Sequence, residues 1–233
     1  MQGGRRVRPV LYRRCEMLKL SPRLQKIYSY IKPGESLIDV GTDHGYIPVR
    51  SAEENICTDI TAADINKGPI ESAKKAALNA GVYDKISFFQ TDGLTGIPPI
   101  ERGSVVIAGM GGETTVKILS GVKWLKKEGV RLILQPQSKI EELTEYLYGG
   151  GFFMSDAGLV KDEGRIYIVM VFEYGRCPEP PEPIKMLRDR KDPLLKELSL
   201  IHISPLFLRR PVSEYFQTAK KWTLYAAWLK NAE

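Results

Sequence analysis

The chain has 233 residues, 43% of them hydrophobic and 27% charged, with a formal net charge of +6. Those proportions fit one large globular domain, or one domain with an appendage, and exclude disordered and fibrous classes. The longest uninterrupted apolar run, Ile166 to Phe172, has seven residues, against the ~20 that span a bilayer. The arginine-rich start shows no apolar signal segment, so a cytoplasmic protein with no membrane partner is expected.

Charge is unevenly spread. Residues 1–16 hold five arginines against Glu16, residues 17–175 hold 18 Lys+Arg against 20 Asp+Glu, and residues 176–233 hold 11 against 7. The middle is slightly acidic and both ends are basic, a distribution compatible with an anionic partner at the C-terminal end. Residues 1–16 show no periodicity and read as a flexible basic arm or an extension. Cys15, Cys57 and Cys177 lie far apart, no CxxC occurs, and His44 and His202 are the only histidines. Free thiols and no metal site are therefore expected.

Ser21-Pro22 reads as an N-cap followed by proline at the first helical position, opening a helix to about Ile31. A strand over Ser36–Val40 follows, then a loop over Gly41–Gly45 and a helix over Tyr46–Glu54. A second strand over Thr58–Ile65 leads to an Ala- and Lys-rich helix over Pro69–Ala80, closed by Gly81. Lys85–Gln90, Ser104–Ala108 and Arg131–Gln135 read as further strands, with helices from about Glu113 and over Ile140–Tyr148. The alternation then gives way to two strands, Phe152–Val160 and Arg165–Tyr174, joined by a turn at Lys161–Gly164. Strict β-α alternation implies an α/β fold with a parallel, doubly wound sheet. A closing hairpin is the layout of a Rossmann-like class I methyltransferase that uses S-adenosylmethionine (SAM), whereas a dehydrogenase keeps its last strand parallel.

Cys177-Pro-Glu-Pro-Pro-Glu-Pro183 is a stiff linker and the clearest boundary. Beyond it, Ile184, Leu187, Leu194, Leu198 and Ile201 keep a heptad-like spacing, which Tyr215, Ala219, Trp222, Ala226 and Leu229 repeat. Two such segments predict a small helical, coiled-coil-like domain over 176–233 beside a main domain over 17–175.

Asp39-Val-Gly41-Thr-Asp43-His44-Gly45 follows the first strand directly. Its glycines allow tight turning and close approach of a nucleotide, but Asp39 and Asp43 would repel a pyrophosphate and suit the cationic aminoacyl end of SAM. Asp64, with Ile65 after it, stands 23 residues beyond Gly41, at a strand end suited to accepting from ribose hydroxyls; a helix N-cap is the competing role. Asp92 could accept from an adenine amino group, with Gly93 beside it, or serve as a turn residue. Ala108-Gly109-Met110-Gly111-Gly112 lets a flat base approach the backbone, or simply turns the chain into a helix.

These segments resemble a known family. Leu18-Lys-Leu-Ser-Pro-Arg-Leu24, Asp39-Val-Gly-Thr-Asp-His-Gly-Tyr46, Ala63-Asp-Ile-Asn-Lys-Gly-Pro69, Thr91-Asp-Gly93, Ile107-Ala-Gly-Met-Gly-Gly112 and Leu132-Ile-Leu-Gln-Pro136 are similar to the bacterial TrmK family. Its members are tRNA (adenine-N1)-methyltransferases acting at position 22, with a C-terminal helical domain for which Ser204-Pro-Leu-Phe207 is the best anchor here. The resemblance implies SAM as cofactor, tRNA as partner, and no obligate protein partner. It also implies transfer to an adenine N1 whose lone pair needs no prior deprotonation, so that positioning dominates. Asp43 is then a candidate for stabilising the cationic product and Tyr46 or Tyr167 for stacking on the base, although such tyrosines are often core residues. His44 could touch cofactor or fix the loop; Lys67 suits a phosphate or solvent. Arg188, Arg190, Lys191, Arg209 and Arg210 could follow the tRNA backbone or form a solvated face.

Overall fold

In the computed structural model, residues 17–175 and 192–194 are described. The elements are α1 (Pro22–Tyr28), β1 (Glu35–Val40), α2 (Tyr46–Glu53), β2 (Cys57–Asp64), α3 (Lys67–Ala80), β3 (Ile86–Gln90), β4 (Gly103–Gly111), α4 (Gly112–Ser120), β5 (Val130–Ser138), α5 (Ile140–Gly149), β6 (Phe152–Asp162) and β7 (Arg165–Tyr174). They form one sheet of order β3-β2-β1-β4-β5-β7-β6, parallel from β3 to β5 and antiparallel in the closing hairpin.

The strands are buried on both faces, which explains their continuous apolar runs. On one face, Leu37, Ala62, Val106, Ile133 and Val169 meet Ile27 of α1, Val49 and Ala52 of α2 and Ala77 of α3. On the other, Ile38, Val105, Leu132, Leu134 and Phe172 meet Leu119 of α4 and Leu143 and Leu147 of α5. Buried Arg131 is neutralised by Glu35 and also donates to Ser104 and the Tyr30 carbonyl, locking the N-terminal ends of β1, β4 and β5. The Leu194 side chain packs on the second face, and Asp192 accepts from the Leu159 amide at 3.4 Å, so this short segment is held against β6.

Strand order reverses between β1 and β4, because β1 pairs with both β2 and β4. In such sheets the crevice beyond the carboxyl ends at the reversal is the ligand site. The registers Val40↔Ala63, Val40↔Ile107 and Asp64↔Gln90 bring four strand ends level there.

Several boundaries move from their expected places. α1 stops at Tyr28, and Tyr30 and Ile31 continue only as tighter turns, donating to the Ile27 and Tyr28 carbonyls. α3 begins at Lys67, two residues before Pro69, whose ring is tolerated within a first turn. β4 runs on to Gly111 because Ala108–Gly111 keep pairing with Gln135–Ser138 across shifted register, with Gly109 at φ +76° making the irregularity possible. The expected arm over 1–16 and helical domain over 176–233 lie outside the described residues, apart from 192–194.

Candidate functional site

The loop after β1 is held by its own chemistry. Asp39 is buried, and its Oδ2 accepts from the Thr42 hydroxyl at 2.7 Å. Desolvation pushes the Asp39 carboxyl up to about 7, against the Thr42 bond, which lowers it, and with the Asp64 charge, which raises it. Gly41 has φ +75°, and the Met110 side chain lies where its Cβ would be. Gly45 has φ +70°, and a Cβ there would stand 2.7 Å from the Ala73 Cβ of α3. Both positions therefore need glycine: one to admit Met110, the other to seat the loop on α3.

Asp43, at φ +49°, and His44 project outward, with Asp43 Oδ2 and His44 Nε2 3.7 Å apart. The His44 ring stacks on Tyr46 at 5.3 Å between centroids and 22° between planes, leaving an exposed aromatic pair at the start of α2. This contact fixes the loop, the structural role weighed for His44, and makes Tyr46 a surface ring rather than a core one. Asp64 Oδ1 accepts from the Asn66 amide at 2.8 Å, so Asp64 orders the start of α3 while Asn66, the N-cap residue, makes no side-chain cap bond. Ile65 lies just past β2 and is 57% exposed, a bare apolar surface beside Asp64. Lys67 is exposed at the first position of α3.

Across the next strand end, Asp92 is exposed and faces Lys117 Nζ of α4 at 3.7 Å. Gly93, at φ +63°, is buried with a Cβ position 3.0 Å from Ile118. Ala108 and Gly109 end the regular part of β4. Gly111 is the N-cap residue of α4, and Gly112 packs so tightly on Lys139 that a side chain would meet that residue's backbone. Gly112 is thus a packing position, whereas Gly109 and Met110 face the crevice.

Sequence reasoning brought Asp39, Gly41, Asp43, His44, Gly45, Asp64, Met110 and Gly109 to one crevice, and the structure joins them there. It missed Thr42, Lys117 and a second cluster beside Gly109. Arg23 Nη1 donates to Gln135 Oε1 at 2.9 Å, and the Arg23 guanidinium lies over the Tyr167 ring at 5.5 Å from the centroid. Both Arg23 and Gln135 sit inside motifs that carry the family resemblance, which was the available signal. Arg188, Arg190, Lys191, Arg209 and Arg210 lie outside the described residues. Among the described residues no three metal-ligating side chains converge, and no helix is long and apolar enough to cross a membrane.

A crevice built from a glycine-opened loop and carboxylates at three successive strand ends fits a nucleoside carrying a cation. The model of a family described as a methyltransferase domain matches residues 20–170. A tRNA (adenine(22)-N(1))-methyltransferase of Bacillus subtilis is 36% identical over 158 residues, covering 68% of this chain and 66% of that enzyme. With two Mycoplasma relatives included, the match spans 62–66% of the curated relatives' own length, just under two-thirds. The crystal structure of the B. subtilis tRNA methyltransferase TrmK superposes with a TM-score of 0.69 at 28% identity, covering 92% of this chain and 98% of that one. A Streptococcus pneumoniae protein solved in complex with SAM gives 0.65 at 29% identity, over 92% and 91% of the two chains. The fold is accordingly a Rossmann-like methyltransferase fold, and the chain belongs to the methyltransferase-domain family.

Proposed function

We propose that this protein transfers the methyl group of SAM to N1 of adenosine 22 of tRNA, the activity named for the B. subtilis relative. The observation that carries the reading is the single crevice at the strand reversal, with Asp39, Asp64 and Asp92 on one side and Gly109–Met110 on the other. The residues fit SAM: Gly41 and Gly45 leave no side chain in the loop, and the carboxylates complement a cationic aminoacyl group, ribose hydroxyls and an adenine amino group. Bound there, SAM supplies an electrophilic methyl on a sulfonium.

The chain's own residues do the rest by placement. Asp39, directed by Thr42, and the loop amides fix the aminoacyl end. Asp64 has Oδ1 committed to the Asn66 amide and offers Oδ2 to a ribose hydroxyl, with Ile65 covering the apolar side of the nucleoside. Asp92 and Gly93 border the adenine. The target N1 holds a lone pair at neutral pH, so no base is required, and the rate gain comes from aligned reactants. As the ring becomes cationic, the exposed Asp43 carboxylate stabilises it. Tyr46, backed by His44, offers a face on which an extruded base stacks. Met110, Gly111 and Gly112 shape the wall on the substrate side, while Lys67 and the arginines of 176–233 meet RNA phosphates. A tRNA substrate implies a cytoplasmic protein.

Incubation with SAM and a tRNA transcript, followed by nucleoside mass spectrometry, tests this reading: 1-methyladenosine is expected, and its absence with SAM binding intact would remove the tRNA reaction.

A further inference from the structure

The cofactor side of the crevice is acidic, yet its opposite wall carries an uncompensated cation. Arg23 is half-buried, and among the described residues no carboxylate lies within ion-pair distance of it. Its orientation is nonetheless fixed. Gln135, 1% exposed, accepts from Nη1 through Oε1 and directs its own Nε2 to the Pro136 carbonyl at 3.1 Å, so its amide cannot turn away. Tyr167 supports the guanidinium from one face. The Arg23 amide and the Ser21 hydroxyl both donate to Asp162 Oδ2, at 3.2 and 2.8 Å, which ties the start of α1 to the end of the β6–β7 hairpin.

This held guanidinium points at the substrate corner. A Cβ on Gly109 would stand 3.5 Å from Arg23 Nη1 and 3.7 Å from Gln137 Nε2, so nitrogen donors line the space beside the Gly109 backbone. A fixed fork of unused N–H donors matches an anionic oxygen pair, and a phosphate in particular. The sign of the chemistry agrees. An arginine beside N1 would oppose the positive charge that forms there, whereas one on a neighbouring phosphate anchors the nucleotide without facing the reacting atom.

Building on the proposed tRNA reaction, we infer that Arg23, fixed by Gln135 and Tyr167, holds a phosphodiester of the target nucleotide across the crevice from the cofactor carboxylates. Arg23 is then a substrate-binding residue, and Gln135 and Tyr167 are positioning residues.

The test uses full-length protein, wild type and Arg23→Gln and Arg23→Lys, with a tRNA transcript. tRNA binding and kcat/KM are followed over a series of salt concentrations, with SAM affinity by calorimetry alongside. Arg23→Gln is expected to raise Kd and KM for tRNA by about 10- to 100-fold and to flatten the log–log salt slope by about 0.7–0.9, one phosphate contact. SAM affinity should stay within about twofold in both variants. Arg23→Lys restores the salt slope but only part of the affinity, because an ammonium lacks the fork that Gln135 directs. A salt slope in Arg23→Gln equal to that of wild type, whatever happens to kcat, would overturn the inference. Absence of methyl product with wild-type enzyme would instead overturn the tRNA reaction; the binding slope reads Arg23 independently of it.

Discussion

Burial holds the Asp39 carboxyl up at about 7, above its ordinary 3.8. The native protein therefore keeps a proton there that the unfolded chain has already released, and stability contributed by this group falls as pH rises between those values. A bound cation reverses the preference, favouring the carboxylate. SAM affinity is accordingly expected to rise with pH between about 5.5 and 7, by at most ~10-fold per unit, with a proton released on binding. Calorimetry in two buffers of different ionisation enthalpy measures both, and Asp39→Asn should flatten the profile; a wild-type affinity independent of pH would contradict this account of the loop. Asp64→Ala should weaken SAM binding by about 10- to 100-fold through lost ribose contacts, and an unchanged dissociation constant would remove Asp64 from the site. Gly45→Ala sets a methyl 2.7 Å from the Ala73 Cβ at a left-handed backbone position. It should lower stability by about 1–3 kcal/mol, read from denaturant midpoints.

At the scale of elements, the hairpin does more than end the sheet. Asp162, the last residue of β6, accepts from Ser21 and Arg23 and so closes the start of α1 over the crevice. Asp162→Ala removes this acceptor and should cost about 1 kcal/mol, with faster amide exchange in α1 than in α5; equal exchange in the two helices would show that the clasp is inert. The alternation and the hairpin were legible in the sequence because period and turn residues are local properties. Five strand-end motifs were legible for the same reason. The Arg23–Gln135–Tyr167 cluster was not, since α1, β5 and β7 meet only through sheet order, and Gln135 reads locally as one polar residue in an apolar strand. The extension of β4 through Gly109–Gly111 was hidden because consecutive glycines look like a loop until pairing with β5 is known.

Across the whole molecule, charge is divided by task. The acidic residues of the crevice suit a cationic cofactor, while Arg23 and the basic C-terminal residues suit RNA. Asp192 and Leu194 hold their segment against β6 and the core, so a truncation removing residues 195–233 keeps this latch. It deletes Arg209 and Arg210 with Lys220, Lys221 and Lys230. Such a protein should bind SAM with nearly unchanged affinity and bind tRNA at least about 10-fold more weakly; full tRNA affinity in a folded truncation would dismiss the C-terminal residues as RNA contacts.

The most direct measurement is nucleoside mass spectrometry after incubating the full-length protein with SAM and two tRNA transcripts, one carrying adenosine at position 22 and the other guanosine. The account predicts 1-methyladenosine in the first transcript and none in the second. Equal methylation of both, or of neither while SAM binds, would contradict it.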